Sequence, residues 1–394
     1  MKYKLSEIFE KPISGEWGNE LEEGKYGAKV IRTTNFTNMG RLNLNDIVER
    51  DIDVEKYKNK LLKLGDIIIE KSGGSPNQPV GRVVIFEENT SGKYFCNNFT
   101  SILRPKNIVN AKYSLYLLKD LYNKKRVLKY QNKTTGIINL KLNDYLNNTE
   151  IMIPSIEEQI KISTILDKSQ ELIDKRKEQI EALDELVKSK FIEMFSEVNQ
   201  YVRVSEYIES LTAGKSLAGE SECKNKVLNT GSISYDYFDM NQVKNLPNDY
   251  IPKEEHLVNV GDVLISRMNT SELVGATAYV WNVNPNTYIP DRLWKANFKP
   301  NCNPIFVWQL LIHNSTKEKI RRIASGTSGS MKNISKLGLL GIEVIKVDIE
   351  KQNEFANFVK QVDKLKFEME KSLKELEDNF NSLMQKSFKG ELFN

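Results

Sequence analysis

The sequence predicts an α+β protein in which two globular segments alternate with two long helices, and three observations carry that prediction. The chain nearly repeats itself, each copy ends in a sustained heptad pattern, and short apolar runs set among Asn, Gly, Thr and Ser fill the remainder. Leu64-Gly65-Asp66-Ile67-Ile68-Ile69 returns as Val260-Gly261-Asp262-Val263-Leu264-Ile265, and Ile156-Glu157-Glu158-Gln159 returns as Ile349-Glu350-Lys351-Gln352. Val30-Ile31-Arg32-Thr33 with Val227-Leu228-Asn229-Thr230, Asn139 with Asn333, and Phe191 with Phe388 keep nearly the same offset. Recurrence at a fixed separation marks a duplicated unit. The order gives four pieces: a globular domain over 1–153, a helix over 154–197, a second domain over 198–347 and a second helix over 348–394.

Within the globular segments, period-two or fully apolar runs at 66–70, 81–86, 262–266 and 275–280 predict short strands. The first repeat follows its central strand with the loop Lys71-Ser72-Gly73-Gly74-Ser75-Pro76-Asn77-Gln78, and the second with Ser266-Arg267-Met268-Asn269-Thr270-Ser271. Asn and Gln match adenine edges, Arg and Lys match guanine edges, and glycine lets a backbone come close. The candidate base or groove contacts are therefore Lys71, Ser72, Gly73, Asn77 and Gln78 in the first domain, with Arg267, Asn269 and Thr270 in the second. The two loops differ in residue type, so they read different bases if both read bases.

Basic residues cluster once per repeat. Lys119, Lys124, Lys125, Arg126, Lys129 and Lys133 precede Thr134-Thr135-Gly136, and Lys317, Lys319, Arg321 and Arg322 precede Ser325-Gly326-Thr327-Ser328-Gly329. Either cluster alone reads as a solvated helix face. Their recurrence at one repeat position points to a polyanion, because phosphates are held by Lys, Arg, hydroxyls and backbone N–H groups. Lys125, Arg126, Lys133, Thr135, Arg321, Arg322, Thr327 and Lys332 are the candidate phosphate contacts.

The helices show the strongest periodicity. Leu166, Ile173, Ile180, Val187 and Met194 fall seven apart, as do Phe355, Val362, Met369, Leu376 and Leu383. Heptads sustained this long predict a coiled coil, with Leu166, Ile173, Ile180, Val187, Val362, Met369, Leu376 and Leu383 in its core. The interleaved positions are broken by Ser169, Arg176, Lys190 and Lys366, so each seam asks for one partner in one register. Two such helices in one chain satisfy each other as an antiparallel pair related by an approximate twofold. A helix of about 38 residues spans roughly 57 Å, which makes the pair a spacer as well as a core.

Composition narrows the chemistry. The net charge of +4 is unevenly shared: 157–195 holds 7 basic and 10 acidic residues and 350–391 holds 8 and 9, so the helices carry −4 and the remainder +8. No apolar run approaches a membrane span, and Met1-Lys2-Tyr3-Lys4 lacks a secretory apolar core, so a cytoplasmic location is expected. Cys96, Cys223 and Cys302 are odd in number and form no CxxC pair, which reads as reduced structural thiols. His256 and His313 are too few and too isolated for a metal centre. Thr212-Ala213-Gly214-Lys215-Ser216 resembles the end of a phosphate-binding loop, but Glu209 stands where its first glycine is required. With no GxGxxG and no paired carboxylates ahead of a lysine, the chain reads as a binding protein without a cofactor of its own.

Together with Ile153-Pro154-Ser155-Ile156-Glu157-Glu158-Gln159 at the helix start and Lys386-Ser387-Phe388-Lys389-Gly390-Glu391-Leu392-Phe393 at the end, this organisation resembles the DNA specificity subunit of Type I restriction-modification enzymes. The resemblance implies that each target recognition domain binds one half of an asymmetric bipartite site in double-stranded DNA, with the coiled coil setting the spacer. Domains one helical turn apart would read half-sites about 10 bp apart. It also implies two methyltransferase subunits, which bring S-adenosylmethionine and base flipping, and restriction subunits, which bring ATP-driven translocation and cleavage. The exposed helix faces and the terminal segment would dock the methyltransferase subunits. Two other readings fit parts of the sequence: a DNA recognition subunit of a methyltransferase-only system, and a coiled-coil adaptor that does not bind nucleic acid.

Overall fold

The computed structural model describes residues 1–75, 78–88, 92–134, 137–326 and 331–393, with the side chains of Lys133 and Thr134 outside the description. The chain divides into two compact units, one made of 1–177 with 372–394 and the other of 178–371. Each unit thus joins a globular domain to portions of both long helices.

The first unit runs β1 (Lys2–Lys4), α1 (Leu5–Ile8), β2 (Ile13–Ser14), β3 (Ala28–Ile31), β4 (Val48–Arg50), β5 (Ile67–Glu70), β6 (Ser72–Gly73), β7 (Val83–Ile85), β8 (Tyr94–Cys96), β9 (Thr100–Leu103), α2 (Ala111–Asn123), β10 (Gln131–Thr134), β11 (Ile137–Leu140), α3 (Leu142–Asn148), β12 (Glu150–Met152) and the start of α4 (Ile156–Phe195). Four antiparallel strands in the order β2-β9-β5-β7 form its main sheet. A second sheet, β4-β3-β8, combines one antiparallel and one parallel pairing, a third is β10-β11-β6, and β1 pairs with β12.

The second unit repeats this plan. Its elements are β13 (Tyr201–Arg203), β14 (Ile208–Ala213), β15 (Lys226–Leu228), β16 (Val243–Asn245), β17 (Val263–Ser266), β18 (Met268–Asn269), β19 (Thr277–Tyr279), β20 (Thr287–Tyr288), β21 (Leu293–Phe298), α5 (Pro304–Ile312), α6 (Asn314–Ile323), β22 (Lys332–Asn333), α7 (Lys336–Leu340), β23 (Glu343–Ile345) and α8 (Ile349–Lys389). The sheets are β14-β21-β17-β19, β16-β15-β20, β18-β22 and β13-β23, matching the first unit pairing for pairing except that the small third sheet has two strands.

The repeated Gly-Asp motif is explained by the turn before each central strand. Gly65 and Gly261 adopt φ of +86° and +96°, a conformation that L side chains resist. The following carboxylate closes the turn, Asp66 accepting from the Lys63 N–H and Asp262 from the Asn259 N–H, each at 2.8 Å. The strand beyond is buried on both faces. Ile67 and Ile69 enter one cluster with α2 and α4, and Ile68 enters another with Ile31, Val84 and Ile102. In the second unit Val263 and Ile265 part from Leu264 in the same way, as the alternation of a strand requires.

The long helices pack against each other antiparallel. In the first unit Ile162 and Leu166 share a core cluster with Met384, and Phe380, Leu383 and Phe388 pack on it; Lys177 reaches Glu377 at 3.0 Å. In the second unit Leu183, Val187 and Phe191 share a cluster with Phe355, Val359 and Val362. Lys366, which interrupts the heptad pattern, donates to Asp184 of the opposing helix at 2.7 Å, and Phe191 meets Phe355 with ring centroids 5.4 Å apart. Leu166, Ile173, Val187 and Val362 are buried, whereas Ile180, Met369, Leu376 and Leu383 are half-buried, because a two-helix seam covers a side chain from one direction only.

Each helix start carries the same anchor. Gln159, 1% exposed, donates to the Ile108 and Pro154 carbonyls at 3.2 and 3.1 Å and accepts from the Asn110 N–H at 2.8 Å. Asn110 caps α2. Gln352, equally buried, donates to the Val347 carbonyl at 2.7 Å and accepts at 2.9 Å from Asn303, the cap of α5. The recurring glutamine thus ties each long helix to the domain that precedes it.

Candidate nucleic-acid interface

The two loops singled out from the sequence become short strands at one edge of each unit. In the first, β6 pairs with β11 through Gly73 opposite Ile138 and Ser72 opposite Asn139, and β11 is the returning arm of the β10–β11 hairpin. The Leu140 N–H donates to the Lys71 carbonyl at 2.8 Å, and the Ser72 hydroxyl donates to Asn139 Oδ1 at 2.6 Å. On the other side of the loop the Lys71 and Ser72 N–H groups both donate to the Phe99 carbonyl, at 2.9 and 3.1 Å. Loop and hairpin, over fifty residues apart in sequence, thus form one backbone ladder.

The second unit builds the same ladder from different side chains. Met268 faces Asn333 and Asn269 faces Lys332, the Ile334 N–H donates to the Arg267 carbonyl at 3.0 Å, and the Arg267 N–H donates to the Arg292 carbonyl at 3.0 Å. Ser325 bridges to Asn333. The pairs Lys71 with Arg267 and Asn139 with Asn333 therefore occupy equivalent rungs.

Side-chain placement sorts the candidates. Lys71 is half-buried and donates to the Ser14 hydroxyl; burial lowers its pKa from the usual lysine value, with Lys60 adding to the effect and Cys96 opposing it. Arg267 lies over the buried Trp294 ring, 5.8 Å from its centroid, and its Nε is 3.5 Å from Asn333 Oδ1. Gly73 takes φ of +117°. Gln78 is exposed, its N–H on the Ser75 hydroxyl at 3.0 Å. Asn269 Oδ1 accepts from the Thr270 N–H at 2.9 Å, and Thr270 is exposed. Asn77 lies outside the described residues.

Among the basic candidates, Lys125 and Arg126 are exposed just past α2, Lys125 with φ of 58°. Arg321 is exposed and donates to the Glu272 carbonyl at 3.1 Å. Arg322 is exposed and pairs with Glu318 at 3.6 Å, and Lys332 donates to the Gly326 carbonyl at 2.8 Å. Thr135, Thr327 and the Lys133 side chain lie outside the described residues. Several cations of the two clusters are used internally instead. Lys119 is half-buried and donates to the Met39 carbonyl at 2.7 Å, and desolvation, with Arg41 nearby, pushes its pKa down to about 8. Lys124 pairs with Asp120, and Lys317 pairs with Asp236. The cationic surface left is narrower than the basic clusters suggested.

Sequence reasoning passed over Phe99 and Arg292. Each accepts a ladder hydrogen bond through its carbonyl and is itself exposed. No motif marks them, because their role comes from a strand pairing and not from local spacing.

Other sequence features have structural explanations. A Cβ at Gly214 would stand 1.8 Å from the Ile289 carbonyl oxygen, so this glycine serves a close backbone approach. His313 stacks on Phe191 at 4.9 Å, and His256 is buried. Among the described residues, no group of three or more His, Cys, Asp or Glu could hold a metal ion, and no helix is long and apolar enough to cross a membrane.

Comparison with known proteins follows the same lines. Residues 1–182 match the Type I restriction modification DNA specificity domain family. The specificity subunit of the Type I restriction enzyme EcoKI of Escherichia coli (strain K12) is 23% identical over 392 residues, covering 92% of this chain and 82% of its own. Two solved structures share the fold: the S subunit of a Type I restriction-modification system from M. genitalium, with TM-score 0.56 and 16% identity over 98% of this chain and 96% of that one, and a chain from a study of type I system assembly and conformational transition, with TM-score 0.58 and 14% identity over 100% and 98%. By sequence, the first repeat matches the DNA specificity domain family of Type I restriction-modification systems, and through both repeats the chain shares the fold of these solved structures.

Proposed function

We propose that the chain is the sequence-reading subunit of a Type I restriction-modification complex, acting in the cytoplasm, in which each of its two domains reads one half of a bipartite asymmetric site in double-stranded DNA. The observation that supports this most is the duplicated ladder: one backbone scaffold, built twice, presents Lys71, Ser72 and Asn139 in one unit and Arg267, Asn269 and Asn333 in the other. A common scaffold with unlike side chains is what two readers of unlike half-sites need, since base edges are distinguished by donor and acceptor pattern. Lys125, Arg126, Arg321, Arg322 and Lys332 supply the sequence-independent grip on phosphate.

In this reading 1–153 and 198–347 are the target recognition domains, and 154–197 with 348–394 form the spacer. Two methyltransferase subunits dock on the helices, restriction subunits join them, and those partners carry out catalysis while this chain contributes recognition. Exposed apolar side chains along the helices, among them Ile160, Leu172, Leu186, Leu365 and Phe367, give such partners a surface. The test is to assemble the chain with its methyltransferase partner and map the methylated adenines on genomic DNA. A two-part motif with a fixed gap supports the proposal, and methylation without sequence preference refutes it.

A further inference from the structure

We infer that Phe99 and Arg292 are base-contacting side chains of their respective units, Phe99 through the 5-methyl group of a thymine and Arg292 through the O6 and N7 acceptors of a guanine. The inference rests on the ladder being the DNA-facing edge. Both residues stand one strand out from the loop at the same rung, since Lys71 donates its N–H to the Phe99 carbonyl and Arg267 donates its N–H to the Arg292 carbonyl.

Their side chains face water at the start of strands whose first residues, Thr100 and Leu293, are buried. Phe99 is 47% exposed between Asn97 and Thr100, which are buried. A phenyl ring held open at a polar edge lacks the cover that apolar area gains by burial, and the thymine methyl is the one apolar feature of a major-groove base edge. Arg292 is exposed next to the buried Leu293, and among the described residues its guanidinium has neither an ion pair nor a hydrogen bond. A free planar fork of donors matches guanine bidentately.

The loop cations are less available. The Lys71 amine is folded back on Ser14, and the Arg267 guanidinium rests over Trp294 beside Asn333. The outward positions on the same rung are Phe99 and Arg292, and they differ in chemistry between units whose backbone pairing is the same.

The experiment uses the chain assembled with its methyltransferase partner and duplexes carrying the mapped site. Thymines of the half-site read by the first domain are replaced one at a time by deoxyuridine, which removes only the methyl group, and guanines of the other half by 7-deazaguanine, which removes only N7. One deoxyuridine position is expected to weaken wild-type binding severalfold and to leave Phe99→Ala no weaker than it already is. One 7-deazaguanine position is expected to weaken wild type about tenfold and not to weaken Arg292→Ala further. A merely structural role would lower affinity for all duplexes alike. If both variants keep wild-type sensitivity at every position while Arg267→Ala relaxes its half-site, or if the first half-site contains no thymine, the inference is overturned and the ladder reading stands. If Phe99→Ala, Arg292→Ala and Arg267→Ala all leave sequence preference unchanged, the ladder reading falls with it.

Discussion

Gln159→Ala tests whether the recurring glutamine fixes the first domain to its helix. The side chain is 1% exposed and makes three hydrogen bonds, two to carbonyls and one from the N–H of the residue that caps α2. Truncation removes the partner of three part-buried backbone groups, each bond worth about 1 kcal/mol, and leaves a cavity at the start of α4. The expected loss is about 3 kcal/mol, measured by urea unfolding together with amide exchange across α2 and the start of α4. Gln352→Ala, which removes two such bonds, should cost about 2 kcal/mol, with its exchange effect confined to α5 and the start of α8. The exposed Gln385→Ala should stay within about 0.5 kcal/mol of wild type. A loss at Gln159 no larger than at Gln385 would refute the anchoring role.

Other perturbations probe separate parts of the account. Glu70, buried beneath a two-pronged contact from Arg82 at 2.8 and 3.1 Å, should cost about 3 kcal/mol as Glu70→Ala, because a cation is left without its partner; thermal unfolding would show it, and a neutral result would remove the pair from the core. Burial, with Glu370 and Asp184 nearby, lifts Asp363 to about 6 from its ordinary 3.8, against the pull of Lys366. The folded state therefore holds that proton more tightly, so stability falls as pH rises from about 3.8 to about 6 and levels off above. Asp363→Asn should remove that fall and add about 1 kcal/mol at pH 7 after allowance for solvent screening; equal pH profiles for the two proteins would contradict it. Arg321→Ala should weaken binding to all DNA alike and reduce the salt slope by about 1, whereas a changed sequence preference with an unchanged slope would assign it to base reading.

The repeat, the heptads and the strand-turn motif were legible because each is a local pattern with one structural solution. The apolar run after Gly65-Asp66 forms the strand it predicted, behind a turn the two residues close, and Lys366, a break in the apolar seam, pairs with Asp184 of the opposing helix. The glutamine of the helix start could be seen to recur, but its partners at the caps of α2 and α5, more than forty residues upstream, could not. Basic clusters misled in part for the same reason: whether Lys119 meets solvent or the Met39 carbonyl depends on a loop eighty residues away. Phe99 and Arg292 stayed hidden because a ladder between distant segments confers their position, and no spacing within either segment records it.

The central claim is that two scaffolds of one design read two different half-sites. Mapping methylated adenines produced by the complex containing Arg267→Ala tests it most directly. The account predicts a bipartite motif in which one position, in the half read by the second domain, loses its preference while the other half and the gap are unchanged. Equal relaxation of both halves, or a single contiguous motif in wild type, would contradict it.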